Sequence, residues 1–257
     1  MTSRGIWVTK NEDKLIREHH PDFIRKRLSS KPKTQNISDA VLGGIDGCVT
    51  TFAVASSVVG AGLPASIALI MGFANLFADG FSMAVSSYES INTEIEYVDK
   101  IRRKEEEHID KVPEGEREEI RQIFEKKGFG DKVLEEITNT ICKDRSLWLD
   151  TMLVEEYGLQ KNNLNPYISS ITTFVAFVVV GAIPLLPFLA SGINIKDTFL
   201  ISAILAGVMF FLIGAIKGLL FTKPILTSGI RTLLTGGAAA SLAFLVGYIL
   251  RNFFNIG

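Results

Sequence analysis

The placement of charge along the 257 residues constrains this chain more than any other feature. No Asp, Glu, Lys or Arg occurs in residues 47–78, 166–195, 198–216 or 232–250, stretches of 32, 30, 19 and 19 residues. A helix needs about 20 such residues to cross a ~30 Å hydrocarbon core. Residues 89–165, between the first and second of these stretches, carry 33 of the chain's 55 charges, 20 acidic and 13 basic. The formal net charge of −1 therefore averages two different materials. A purely soluble globule, a disordered tail and a disulfide scaffold are all set aside on this pattern. A Cys48–Cys142 bridge would have to join an apolar stretch to the charged segment, so both cysteines are read as free thiols.

The fold expected is an all-α integral membrane protein, with five transmembrane helices per subunit and a helical cytosolic insert between helices two and three. The 32-residue stretch would run about 48 Å as one helix, too long for one crossing. Its middle reads Gly60-Ala-Gly62-Leu-Pro64, so it is a hairpin of helices at roughly 39–60 and 64–88. Helices three to five follow at about 167–189, 197–219 and 229–250, with Pro184 and Pro187 kinking or ending helix three. Four parts result: a basic segment 1–38, helices one and two at 39–88, the insert 89–165, and helices three to five at 166–257.

Basic residues set the expected orientation. The amino segment has nine, the insert thirteen, and the loop joining helices four and five adds Lys223 and Arg231. The opposite side has Lys196 and Arg251, with Lys217 inside a span. The positive-inside rule then puts the amino end and the insert in the cytosol and the carboxyl end opposite. No apolar core of signal-peptide length lies in the first 38 residues. Lys31-Pro-Lys33, just before helix one, is expected to meet anionic lipid headgroups rather than nucleic acid.

Within the insert, helix two is expected to continue to about Asp110, where Pro113-Glu-Gly115 interrupts it. Further helices are expected at 116–127, at 131–141 with Asp131 as cap, and at 146–157, leading through Lys161-Asn-Asn-Leu-Asn165 to helix three.

Carboxylates inside the membrane are the sharpest chemical signal, because each costs roughly 2.5–3.5 kcal/mol to insert and normally faces a pathway or a partner. Asp46 lies in helix one beside Gly44 and Gly47. On helix two, Asn75, Asp79 and Met83 recur at i, i+4 and i+8 and share one face. Carboxylate and amide oxygens with a thioether suit a borderline divalent ion such as Fe²⁺ better than Mg²⁺ or Ca²⁺. The competing reading pairs the two aspartates with Lys217 or makes them helix caps, and makes Met83 packing. The insert offers a second set: Glu105 with His108, Glu116 with Glu119, and Met152 with Glu156, each pair at helical spacing. Spacing alone favours an ordinary solvated acidic face here.

Enzyme chemistry finds no foothold. There is no Gly-rich phosphate loop, nucleophile elbow or Cys-x-x-Cys, and a di-iron bundle would need a second Glu-x-x-His besides Glu105–His108. No enzymatic activity and no resident cofactor is expected.

Specific strings add to this. Asp39-Ala-Val-Leu-Gly-Gly-Ile-Asp46-Gly47 with Thr50-Thr51, then Ala78-Asp-Gly-Phe-Ser82-Met83-Ala84, resemble the first two transmembrane helices of the vacuolar iron transporter family, the plant, fungal and prokaryotic Fe²⁺/Mn²⁺ exporters. Glu155-Glu156-Tyr157-Gly158-Leu159, Pro184-Leu-Leu-Pro187 and Gly236-Gly-Ala-Ala-Ala240 extend the resemblance from about residue 35 to the carboxyl end. It implies a homodimer, a path lined by helices one and two, and exchange of cytosolic metal for protons. It puts Asp46 and Met83 on that path. In the insert it assigns Glu105, His108, Glu116, Glu119, Met152 and Glu156 to metal binding. Two departures stand out: the family's glutamate after Ser-Met-Ala falls on Ser87 here, and Asp79 replaces a usual Gly. His108 also stands where a glutamate is more usual.

The function expected is therefore proton-coupled export of Fe²⁺, and of Mn²⁺ as a second ion, in a multi-pass protein of the vacuolar or cell membrane. A passive metal channel and a membrane-anchored metal buffer or sensor are the alternatives.

Overall fold

The structure is a computed structural model in which residues 14–29, 35–159, 164–190, 192 and 194–254 are described. Lys31-Pro-Lys33 and residues 161–163 of the expected linker lie outside these. The chain divides between Ser38 and Asp39 into two compact units. The first contains helix α1, Pro21–Ser29.

Helix α2 runs from Gln35 to Gly60, and α3 from Ala65 to Lys111 without a break, 47 residues that cross the apolar zone and continue through the charged segment. In the insert come α4 Pro113–Lys126, α5 Asp131–Lys143 and α6 Arg145–Glu155, and α7 Pro166–Ala182 follows it. A 3₁₀ segment, Ile183–Leu189, continues α7. Helices α8, Ile195–Leu220, and α9, Ile225–Phe254, complete the chain. The described residues contain no strand, and five helices are long and apolar enough to cross a membrane: α2, α3, α7 with its 3₁₀ extension, α8 and α9.

Local chemistry sets several helix starts. Asp144 accepts from the backbone amides of Ser146 and Leu147 at 2.9 and 3.2 Å and so caps α6. Asn165 does the same for α7 through Tyr167 and Ile168, with Pro166 at the first helical position. The expected interruption falls at Val112, after α3 ends, but Pro113 already starts α4, because the first turn needs no amide from it. Asp131 is not the cap of α5; Gly130 holds that position, and Asp131 sits in the first turn at φ 50°. Pro184 and Pro187 convert the end of helix three into 3₁₀ geometry. Two neighbouring hydroxyls satisfy carbonyls there: Thr51 Oγ1 donates to Gly181 O at 2.7 Å, and Ser202 Oγ to Pro184 O at 2.6 Å.

Glycines bring the membrane helices into backbone contact. A Cβ on Gly47 would stand 2.3 Å from Phe177 O, and one on Gly43 2.4 Å from Thr173 O, so α2 and α7 touch main chain to main chain. Small buried clusters fill the rest: Cys48, Phe52, Ala206, Phe210 and Ala240 join α2, α8 and α9, while Leu76, Phe177 and Leu185 join α3 to helix three. Cys48 and Cys142 are both free thiols. The insert has its own core of Ile109, Ile120, Ile141, Trp148, Leu149 and Met152, which packs α4, α5 and α6 against the far end of α3.

The backbone contact at Gly47 makes that position intolerant of a methyl group. Gly47→Ala is expected to destabilise the purified protein by about 1–3 kcal/mol, read as a lower thermal midpoint in detergent. Gly207→Ala, where an added Cβ would make only an ordinary contact 3.5 Å from Leu233 Cδ1, is expected to leave the midpoint unchanged or slightly raised.

Candidate metal centre

The chain reversal at Val112 brings the end of α3 against the first turn of α4, and with it three ligand-bearing side chains. His108 Nδ1 lies 3.2 Å from Glu116 Oε1 and 3.8 Å from Glu105 Oε1. One ligand atom from each residue falls within 4.8 Å of the other two, the spacing at which a single divalent ion could be shared. The two carboxylates are almost wholly buried, Glu105 1% and Glu116 4% exposed, and His108 is half-buried. Oε2 of Glu105 and Oε2 of Glu116 have no hydrogen-bond partner. A buried acceptor without a partner costs about 1–3 kcal/mol, more when charged, and a bound cation removes that cost.

Two side chains complete the surroundings. Tyr157 donates its hydroxyl to Glu105 Oε1 at 2.8 Å. Lys104 Nζ donates to the Tyr157 hydroxyl at 3.1 Å and stands 3.9 Å from Glu105 Oε1. Burial, then the charges of Glu119 and Glu105, push the Glu116 carboxyl up to about 7. Burial, then Glu105 and Glu119, also raise Glu156, against the opposing pull of Tyr157 and Lys104. Glu119 and Glu156 themselves are exposed. They lie near enough to act on Glu116 through space, and outside the close group of three. Met152 is fully buried in the apolar cluster between α3, α4, α5 and α6.

In the membrane, α2 and α3 bring Asp46 and Asp79 close enough for their charges to repel. Counted from the hairpin ends at Gly60 and Ala65, each lies 14 residues, about 21 Å, along its helix, so they share a level. Both are half-buried. Asn75 Nδ2 donates to Asp79 Oδ2 at 2.8 Å, one turn apart on the shared face. Met83 is half-buried and packs against the cluster of Leu76, Phe177 and Leu185. Lys217 offers no counter-charge to the aspartates: it sits in the last turn of α8, beside Lys223 and Arg231.

Near the same helix ends, Ser169 Oγ of α7 donates to Asp39 Oδ2, and Ser87 Oγ donates to Ser169 Oγ at 3.4 Å. The position that lacks the expected glutamate is thus linked through Ser169 to a carboxylate on α2. Sequence reasoning passed over Asp39, Tyr157 and Lys104. Asp39 and Tyr157 lie within the quoted family strings, which is the one signal that could have flagged them. Lys104 immediately precedes Glu105, a spacing that does not put two side chains on one helix face.

Fold and site together define a multi-pass α-helical membrane protein with one acidic cluster between its spans and a second in a helical insert. The VIT family model matches residues 37–248, and the chain belongs to that family. It is 30% identical over 235 residues to a vacuolar iron transporter of Toxoplasma gondii, covering 88% of this chain and 78% of that one. It is 29% identical to vacuolar iron transporter 1 of Arabidopsis thaliana, over 95% of this chain and 100% of the relative. A Plasmodium falciparum vacuolar iron transporter matches at 26%, over 94% and 93%.

The raised Glu116 carboxyl carries a pH signature with a definite sign. Its folded value of about 7 lies above the ordinary 4.5, so the metal-free fold holds a proton that the unfolded chain releases. That contribution to stability is fully present below pH 4.5 and is lost as pH rises through 7. The thermal midpoint of the metal-free protein is expected to fall between pH 5 and 8, and Glu116→Gln to flatten this decline. Metal affinity runs the other way, rising over the same window as the competing proton leaves.

Proposed function

We propose that the protein carries Fe²⁺, with Mn²⁺ as a second cargo, out of the cytosol in exchange for protons, and that it works as a homodimer. The observation that carries this reading is the pair of acidic stations on one continuous helix. Glu105 near the far end of α3 and Asp79 in its membrane part are 26 residues apart, about 39 Å along the axis. The insert would collect metal at Glu105, His108 and Glu116, with Glu119 and Glu156 raising the local negative charge. Asp46, Asp79 and Asn75 would receive it in the membrane, with the Met83 thioether one turn nearer the cytosol. A nitrogen ligand among carboxylates favours a borderline ion over Mg²⁺ or Ca²⁺.

Proton exchange follows from the ligands. A carboxylate binds metal only when ionised, so metal and proton compete for the same oxygens of Asp46 and Glu116. The excess of basic residues at the amino end, in the insert and in the loop between α8 and α9 supports a cytosolic insert and an opposite carboxyl end. The curated relatives named vacuolar iron transporters support iron as cargo and a vacuolar or cell membrane as the site of action. An open apolar groove lined by Phe52 and Ser56 of α2 and by Gly237 and Ala240 of α9 supports a second copy seated along helix one.

Proteoliposomes with an acidic interior are expected to take up Fe²⁺ several-fold faster than liposomes at equal pH, and Asp46→Ala to reduce uptake to the protein-free level. Flux indifferent to the gradient would make the protein a channel. Glu105→Gln with Glu116→Gln is expected to raise the half-saturating Fe²⁺ concentration about tenfold or more while much of the maximal rate remains. A metal buffer or sensor would show no flux even unsubstituted.

A further inference from the structure

A basic cavity of about 120 Å³ lies where α8 turns into α9. Lys217, Lys223 and Arg231 line it, together with the polar side chains of Thr227, Ser228 and Thr232. None of the three cations has a side-chain hydrogen bond or ion pair among the described residues. None can find an acid nearby in sequence either, because no Asp or Glu follows Asp197.

The backbone fixes the turn that carries these residues. Lys223 N donates to Gly218 O at 2.9 Å, closing α8 with Thr222 in the left-handed region at φ 52°. Glycine is usual there, and a β-branched residue pays a steric cost that the rest of the turn must offset. A Cβ on Gly214 would meet Ser228 O at 2.6 Å, and one on Gly218 would meet Ser228 Cβ at 3.0 Å, so the two helices approach as closely as glycine allows. The start of α9, with its unpaired amides and positive dipole end, therefore sits against the last turn of α8 that carries Lys217. Three exposed like charges line one cavity, and an anion with several acceptor oxygens could be shared among them. The surroundings are apolar: Leu219, Phe221, Leu226 and Ile230 are all exposed. The uncharged stretches 198–216 and 232–250 end beside Lys217 and Arg231, which places the cavity at the border between hydrocarbon and water.

We propose that this cavity binds a phosphate-bearing anion, whose source, given the apolar rim, is the headgroup of an anionic phospholipid. The test uses the full-length protein in neutral detergent and follows its thermal midpoint while short-chain phosphatidic acid, inorganic phosphate or short-chain phosphatidylcholine is added. Phosphatidic acid is expected to raise the midpoint, phosphatidylcholine to leave it unchanged, and Lys223→Gln with Arg231→Gln to weaken the phosphatidic acid response at least tenfold. The pair Lys196→Gln with Arg251→Gln, elsewhere on the chain, is expected to leave it intact. An equal response to inorganic phosphate, lost in the same double variant, keeps the site and makes free phosphate its ligand. No response to either phosphate compound, a response that survives Lys223→Gln with Arg231→Gln, or one lost equally in the control pair would overturn the proposal. If the double variant fails to fold, Lys217→Gln alone must weaken the response.

Discussion

Main-chain contact between α2 and α7 is the constraint on which the membrane half depends. Hydrocarbon gives apolar helices no reason to leave lipid for each other, so association rests on close packing and hydrogen bonds. Gly43 and Gly47 let α2 approach α7 until the backbones touch, and the Thr51 hydroxyl locks the contact onto Gly181 O. This fixes the rotation of α2 about its own axis. Asp46, next to Gly47 in sequence, is half-buried beside this contact. The same glycines that permit the packing thus set the position of the costly carboxylate along and around α2.

The insert obeys a different economy. Water is available there, so Ile109, Ile120, Trp148, Leu149 and Met152 are driven together by their apolar surface. In closing, that core draws Glu105 and Glu116 out of solvent with one oxygen of each unpartnered. Apolar packing stabilises the insert while leaving negative charge poorly satisfied, and Lys104 and Tyr157 relieve the strain only on one side of Glu105.

The five spans and the helical insert were legible in the sequence because charge segregation is a long-range pattern that tolerates errors of a few residues. The close approach of Glu105, His108 and Glu116 was only half legible. Spacing puts Glu105 and His108 on one face, but what brings Glu116 to them is the tight reversal at Val112, where one helix ends and Pro113 at once begins the next. Asp131 was misread as a cap because its type suits that role and its φ cannot be seen in sequence. Lys217 lies inside the fourth span as counted, but in its last turn, where it lines one cavity with Lys223 and Arg231. The Asp39–Ser169 bond joins residues 130 positions apart, and no local rule reaches that far.

Helix three shows how a local irregularity can meet a global dimension. As an α-helix, the 17 residues of Pro166–Ala182 rise only about 26 Å, short of a ~30 Å hydrocarbon core. The seven residues of Ile183–Leu189 add about 14 Å in 3₁₀ geometry, against about 10 Å had they stayed α-helical. The prolines thus stretch helix three instead of cutting it short, and the span with the fewest α-helical residues still reaches the far side of the bilayer.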